Sequence, residues 1–224
     1  MNVELIDRMG TDLTVVNSAR VSFDKQSKWE QMKDSDGVTK HVLSNRDAKL
    51  LKYLAENNHF TPFCHAQVTL RVTMPIYVAR QLAKHQVGGV VNEVSRRYVS
   101  YTPVLDVPSQ WRKSAENVKQ GSSDALVPID SSFQEMIEKT MRATTQLYED
   151  LLLAGVCPEQ ARVVLPVCSE TVWIWTGSLM FFARVCKLRL DPHAQRETRD
   201  VAERISRIME ELFPESWQAL MDNQ

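Results

Sequence analysis

Residues 65–74, HAQVTLRVTM, restrict the fold of this chain more than any other stretch. Ala66, Val68, Leu70, Val72 and Met74 alternate with Gln67, Thr69, Arg71 and Thr73. That period of two belongs to a β-strand with one buried face and one that is wet or meets a polar partner. Pro75 stops the strand and suits the first turn of a helix, so a helix over residues 76–85 follows at once. This passage delivers residues 80–98, RQLAKHQVGGVVNEVSRRY. Arg80 and Lys84 share one helical face, and Gln81 and His85 form the adjacent pair. Gly88-Gly89 breaks the helix. The chain then resumes with side chains suited to gripping an anion.

The rest of the sequence surrounds that junction. Residues 2–8 read as a short edge strand, and residues 12–21 as a helix capped by Thr11 or Asp12. Residues 24–42 are polar, carry Asp36-Gly37 and read as a mobile loop. Ser44-x-x-Asp47 resembles a capping box ahead of a helix bearing Leu50, Leu51, Leu54 and Ala55 on one face. Residues 102–128 hold three prolines and many polar residues. They read as a long loop with a short helix around residues 110–117, serving as a lid or an intersubunit element. Asp130 or Ser131 caps a long helix whose apolar positions, from Phe133 to Leu152, keep the 3.6-residue period. Gly155 closes it. Pro158 opens a short helix containing Arg162, residues 171–176 are β-prone, and residues 179–188 read as a buried helix. A last amphipathic helix carries Val201, Ile205, Ile208, Met209 and Leu212. The fold class is α+β, one domain over residues 1–224. A small antiparallel or mixed sheet is packed by long helices, several of them apolar enough to share a core across subunits.

Composition narrows the function. At 224 residues, 43% apolar and 25% charged, the chain has the profile of an ordinary globule with a real core. A net charge of −1 gives no long-range pull on nucleic acid or an anionic membrane. No apolar run is long enough to span a bilayer, and residues 1–8 lack the apolar core of a signal peptide. Cys64, Cys157, Cys168 and Cys186 form no C-x-x-C pair and read as buried thiols in a reducing cytoplasm. The five histidines lack ligand spacing, so no metal is expected. Neither a Rossmann fingerprint nor a P-loop is present.

Ser95-Arg96-Arg97-Tyr98 offers a hydroxyl, two guanidinium groups and a phenol. The run suits bidentate capture of phosphate and equally suits a solvated basic edge. Arg162 and Arg189 sit among apolar residues, where a guanidinium needs either a ligand or an ion pair with a residue such as Asp191 or Glu93. His59, His85 and His193 read as structural as readily as functional. Ser95 lacks the G-x-S-x-G elbow of a hydrolase. Trp173 and Trp175 alternate in a strand and belong to the core or an interface.

Residues 80–98 resemble the signature of the flavin-dependent thymidylate synthases, R-H-R-x-x-S-x-N-E-x-S-x-R-Y. Its second half stands intact at residues 92–98. Residues 18–23, 59–65, 75–81, 159–166 and 188–195 are similar to further family motifs, so the resemblance runs from about residue 12 to residue 205. It implies a cytoplasmic homotetramer with active sites at subunit contacts. FAD would be the redox carrier, dUMP the acceptor, methylenetetrahydrofolate the one-carbon donor and NADPH the reductant. By motif position, Ser95 and Arg97 hold the dUMP phosphate, and Gln81, Glu93, Arg96 and Arg162 belong to the nucleotide site. Arg189 faces the pyrimidine carbonyl and, with Ser95, stands in the catalytic set. His59, Thr61, Lys84, His85, Gln86, Glu93, Ser178 and His193 line the flavin.

The chain also departs from the family pattern. Arg-His-Arg is Lys84-His85-Gln86 here, one extra residue precedes Asn92, and Gly88-Gly89 stands in place of a serine. Cys64, Ser178 and Met180 replace a common Glu, Asn and Arg. These changes gather on the flavin side. They leave two alternatives to dTMP synthesis: a pyrimidine nucleotide hydroxymethyltransferase acting on dUMP or dCMP, and a catalytically silent nucleotide-binding homologue.

Overall fold

The computed structural model describes residues 1–33, 35–115 and 122–222. In chain order the elements are β1 (Asn2–Met9), α1 (Asp12–Arg20), β2 (Glu30–Lys33), β3 (Thr39–Val42), α2 (Asn45–Glu56), β4 (Gln67–Pro75), α3 (Ile76–Leu82) and β5 (Gly89–Glu93). There follow β6 (Arg112–Ser114), β7 (Ser122–Leu126), α4 (Ser131–Leu153), α5 (Pro158–Ala161), β8 (Glu170–Ser178), α6 (Leu179–Arg189), α7 (Arg196–Leu212) and α8 (Pro214–Met221). The class is α+β, and the main sheet is antiparallel throughout.

The alternating strand is the centre of that sheet. Its order is β1-β4-β8-β5, so β4 has a partner on each side. Val68, Leu70, Val72 and Met74 are buried, as are Thr171, Trp173 and Trp175 on β8. Burying each large apolar side chain stabilises the fold by roughly 1.5–3 kcal/mol. Trp175 meets Trp173, Phe181 and Phe182 edge-on at 5.4–5.6 Å, which suits the ring quadrupoles. Helices α1, α2, α6, α7 and α8 pack over this face, through Val15, Val16, Leu51, Phe182, Val201, Ile205 and Trp217. Among the described residues no helix is long and apolar enough to cross a membrane.

Caps fall where the sequence placed them. Ser44 Oγ accepts the Asp47 N–H at 3.1 Å and donates to Asp47 Oδ2 at 2.8 Å. Asp130 Oδ1 accepts the Phe133 N–H at 3.0 Å. Gly155, at φ +86°, ends α4.

Two loop expectations are corrected. Residues 24–42 contain the antiparallel pair β2–β3, with Glu30 opposite Val42 and Lys33 opposite Thr39. Both strands are polar and mostly exposed, so they carry no alternation to betray them. The helix expected around residues 110–117 is instead strand β6 over Arg112–Ser114, paired with β7; residues 116 and 117 lie outside the described residues. Cross-strand pairing outweighed a weak local helix preference.

Candidate active site

The strand-to-helix passage at Pro75 sets the site. Val78, Ala79 and Leu82 of α3 face the core. Arg80 is thereby left exposed and Gln81 half-buried. The helix ends at Leu82, and Gly88, at φ +92°, reverses the chain into β5. A side chain at Gly88 would be strained in that left-handed conformation. Strand β5 pairs with β8, Gly89 opposite Gly177 and Glu93 opposite Trp173. Both glycines lie against the Phe181 ring; a Cβ on Gly89 would sit 2.5 Å from Phe181 Cζ.

Beyond β5 the chain turns, with Tyr98 N–H bonded to Ser95 O at 2.9 Å. The turn separates two neighbouring arginines. Arg96 is buried, donates to Tyr101 O at 2.7 Å and lies 4.9 Å from the Tyr101 ring centroid. Arg97 stays exposed, and its N–H and Nε–H both approach Ser95 Oγ at 3.4 Å. Arg162 follows α5, is exposed, and donates to Glu159 O at 3.2 Å. Arg80, Ser95, Arg97 and Arg162 line one cleft of about 810 Å³, with Glu93, Arg96 and Trp173 also in its wall. Glu93 Oε1 accepts the Thr171 hydroxyl at 2.6 Å. The buried Trp173 Nε1–H has no partner among the described residues. Three exposed guanidinium groups beside a hydroxyl suit an anion.

A second cluster gathers around the end of α3. Arg189, at the end of α6, donates from Nε to His85 Nε2 at 3.0 Å and from a terminal nitrogen to Gln81 O at 2.8 Å. Arginine only donates, so His85 accepts on Nε2 and carries its proton on Nδ1. Burial, reinforced by the Arg189 charge, holds the His85 imidazole below the usual histidine range. The Gln81 amide donates to Gln195 Oε1 and accepts from Thr198 Oγ1 at 3.1 Å. Neither Arg162 nor Arg189 forms the ion pair weighed for it: Asp191 bonds His193 Nδ1 at 2.9 Å, and Glu93 bonds Thr171.

The residues expected around the flavin are spread over several elements. His59 is exposed, edge-on to Tyr53 at 5.9 Å, and Thr61 opens a 3₁₀ turn. Lys84 and Gln86 are exposed between α3 and β5. Ser178 is buried and caps α6, its Oγ accepting the Phe181 N–H at 3.1 Å. His193 is exposed beside Asp191. Arg184 lies over the Phe60 ring at 5.3 Å, between His59 and Thr61. Sequence reasoning missed it, although it sits in an apolar run as Arg162 and Arg189 do. The sequence marks Arg80 only as a helical neighbour of Lys84. A single chain thus brings together the phosphate-type residues, and separately Gln81, His85 and Arg189, but not the whole set.

The family model described as thymidylate synthase complementing protein (Thy1) matches residues 4–215. The flavin-dependent thymidylate synthase of Thermosipho africanus (strain TCF52B) is 33% identical over 98% of this chain and 90% of the relative. That of Thermus thermophilus is 34% identical over 99% of this chain and 76% of the relative. A UMP/dUMP methylase, PolB from Streptomyces cacaoi, was solved bound with 5-Br dUMP. It superposes with a TM-score of 0.80 at 27% identity, covering 99% of this chain and 94% of that one. The same methylase bound with 5-Br UMP superposes with a TM-score of 0.78 at 26% identity. With residues 93–97 of the signature in the wall of an arginine-lined cleft, this chain belongs to the thymidylate synthase complementing protein family, that of the flavin-dependent thymidylate synthases.

Proposed function

We propose that this chain methylates dUMP to dTMP in a flavin-dependent reaction, with methylenetetrahydrofolate as one-carbon donor and NADPH as reductant. The observation that carries this reading is the convergence of Ser95, Arg97 and Arg162 on one cleft. Arg97 and Arg162 hold the 5′-phosphate, with Ser95 donating its hydroxyl. Glu93 and Gln81 orient the nucleotide, and Arg96 braces the turn that presents Arg97. Arg189 faces the pyrimidine carbonyl and stabilises the negative charge that develops there as C5 becomes nucleophilic. His85 holds the Arg189 guanidinium in place.

The residues present fit FAD. Thr61, Lys84, Gln86 and Arg184 are exposed donors, two of them cationic, and such donors match the diphosphate of a dinucleotide. His59, His193 and the buried cap Ser178 complete the set proposed to line the flavin. When bound, FAD supplies hydride donation and mediates the one-carbon transfer. Arg189 does not line the phosphate cleft, so a complete site takes Arg189 from one subunit and the cleft from another. The assembly we propose is the homotetramer that the family resemblance implies, working in the cytoplasm.

Mass spectrometry of the nucleotide product tests the reading, with FAD, NADPH and methylenetetrahydrofolate supplied. A gain of one methyl on dUMP is expected. A hydroxymethyl product on dUMP or dCMP, or dUMP binding without turnover, would replace it with one of the two alternatives. UMP belongs in the same assay, because the methylase PolB is described as acting on UMP and dUMP.

A further inference from the structure

The β6–β7 pair lies outside every motif that identifies the family, yet it is bonded into the second cluster. Arg112 donates from Nε to Ser122 Oγ on β7 at 2.7 Å, which holds its guanidinium to its own strand pair. A terminal nitrogen of the same side chain lies 2.8 and 2.9 Å from the two Glu197 carboxylate oxygens. Both side chains are largely shielded from water, at 21% and 14% exposure. Glu197 also accepts from Gln195 Nε2 at 2.9 Å, and Gln195 Oε1 accepts from Gln81 Nε2. Thr198 Oγ1 closes the row on Gln81 Oε1.

This row has a direction. An amide and a hydroxyl can each donate or accept, so Gln81, Gln195 and Thr198 alone permit either orientation of the Gln81 amide. An ionised carboxylate only accepts, and a guanidinium only donates. Glu197 therefore obliges Gln195 to present its NH₂ group. Gln195 is left presenting a carbonyl to Gln81, which must answer with its own NH₂ group. Burial works against the Glu197 charge. Its own backbone N–H, Gln195 and Arg112 outweigh that cost and hold the carboxyl below the usual range.

We infer that Arg112 and Glu197 are positioning residues that fix which end of the Gln81 amide faces the nucleotide, making the β6–β7 pair a working part of the site. The inference rests on the nucleotide reading above. The described ends of the 102–128 stretch then set the hydrogen-bonding pattern that the substrate meets.

The test is calorimetric titration of the FAD-reconstituted protein with dUMP, for wild type, Glu197→Gln, Arg112→Ala, Arg112→Lys and the Arg112→Ala/Glu197→Gln double variant, each with a thermal melt. Glu197→Gln keeps the size of the side chain and lets the row run either way. It is expected to weaken dUMP about tenfold, the worth of about one hydrogen bond, with its melting midpoint near that of wild type. Arg112→Ala is expected to lose a similar factor, more at pH 5 than at pH 8, and Arg112→Lys to recover most of it. The double variant is expected to bind no worse than the weaker single one, because both act through one row. Wild-type binding with Glu197→Gln and Arg112→Ala within twofold of it would overturn this inference alone. So would single losses that add fully in the double variant. Wild type that binds no dUMP would overturn the nucleotide reading and this inference together. If Arg112→Ala fails to fold, Glu197→Gln decides.

Discussion

His85 accepts the Arg189 N–H on Nε2, so a proton on that nitrogen and the contact with Arg189 exclude one another. The folded-state value lies below the free-histidine value of about 6.5. As pH falls below about 6.5 the unfolded chain takes up this proton first, and stability declines. As pH reaches the lower folded value, Arg189 is released. The Michaelis constant for dUMP is expected to rise along this acid limb, and a pH profile of His85→Gln, which accepts without titrating, is expected to be flatter there. Arg162→Ala removes a charged donor from the phosphate cleft and is expected to weaken dUMP by roughly 10- to 100-fold, at about 1.5–3 kcal/mol for such a bond, in a calorimetric titration. Gly177→Ala would place a Cβ against Cδ1 of the buried Phe181 ring, and overpacking of this kind costs about 1–3 kcal/mol, measurable by thermal melting. Residue types alone do not separate Arg96 from Arg97. Their different fates follow from the turn at residues 95–98, which aims one guanidinium at Tyr101 and the other at the cleft.

At the scale of elements, the N-terminus of α2 gathers more than a cap. Asp47 accepts from Arg20 Nε at 2.8 Å, from Ser27 Oγ at 2.9 Å and from Ser44, and it is 3% exposed. Burial opposes its charge, but Arg20, Ser44 and Ser27 outweigh that and hold its carboxyl below the usual range. A depressed folded value gives stability that is present above the unfolded value of about 3.9 and lost as pH falls through the folded one. Asp47→Asn strips the half of this pair that neutralises Arg20, and about 3 kcal/mol of loss is expected in urea denaturation. The Ser44–Asp47 box was legible because cap and acceptor lie three residues apart in sequence. Arg20 and Ser27 were not, since they reach Asp47 only through packing. The same contrast explains the two strand pairs that read as loops. Their polar residues alternate nothing, and the partner strand supplies the order.

Across the whole molecule, α4 buries only Tyr148, while Phe133, Met136, Leu147 and Leu153 are 48–86% exposed. Its apolar stripe therefore finds little of its own chain to cover it. In the homotetramer proposed here a second subunit covers it. Phe133→Glu/Met136→Glu is expected to shift light-scattering mass from tetramer toward smaller species and to abolish turnover; an unchanged mass would assign the stripe another partner. By itself the sequence determined the central strand, its passage through Pro75 into α3, the caps and the signature at residues 92–98. Each of these is a local pattern, fixed by side-chain period, backbone restriction or hydrogen-bonding reach within a few residues. Only the tertiary structure decided that Ser95, Arg97 and Arg162 share a cleft, that Arg189 meets His85 and the Gln81 carbonyl at the end of α3, and that Arg112 is bonded to Glu197. Those arrangements depend on which surfaces pack together. Arg112 and Glu197 are 85 positions apart in the chain, His85 and Arg189 104, and they meet only because the sheet and the helices above it close on one core.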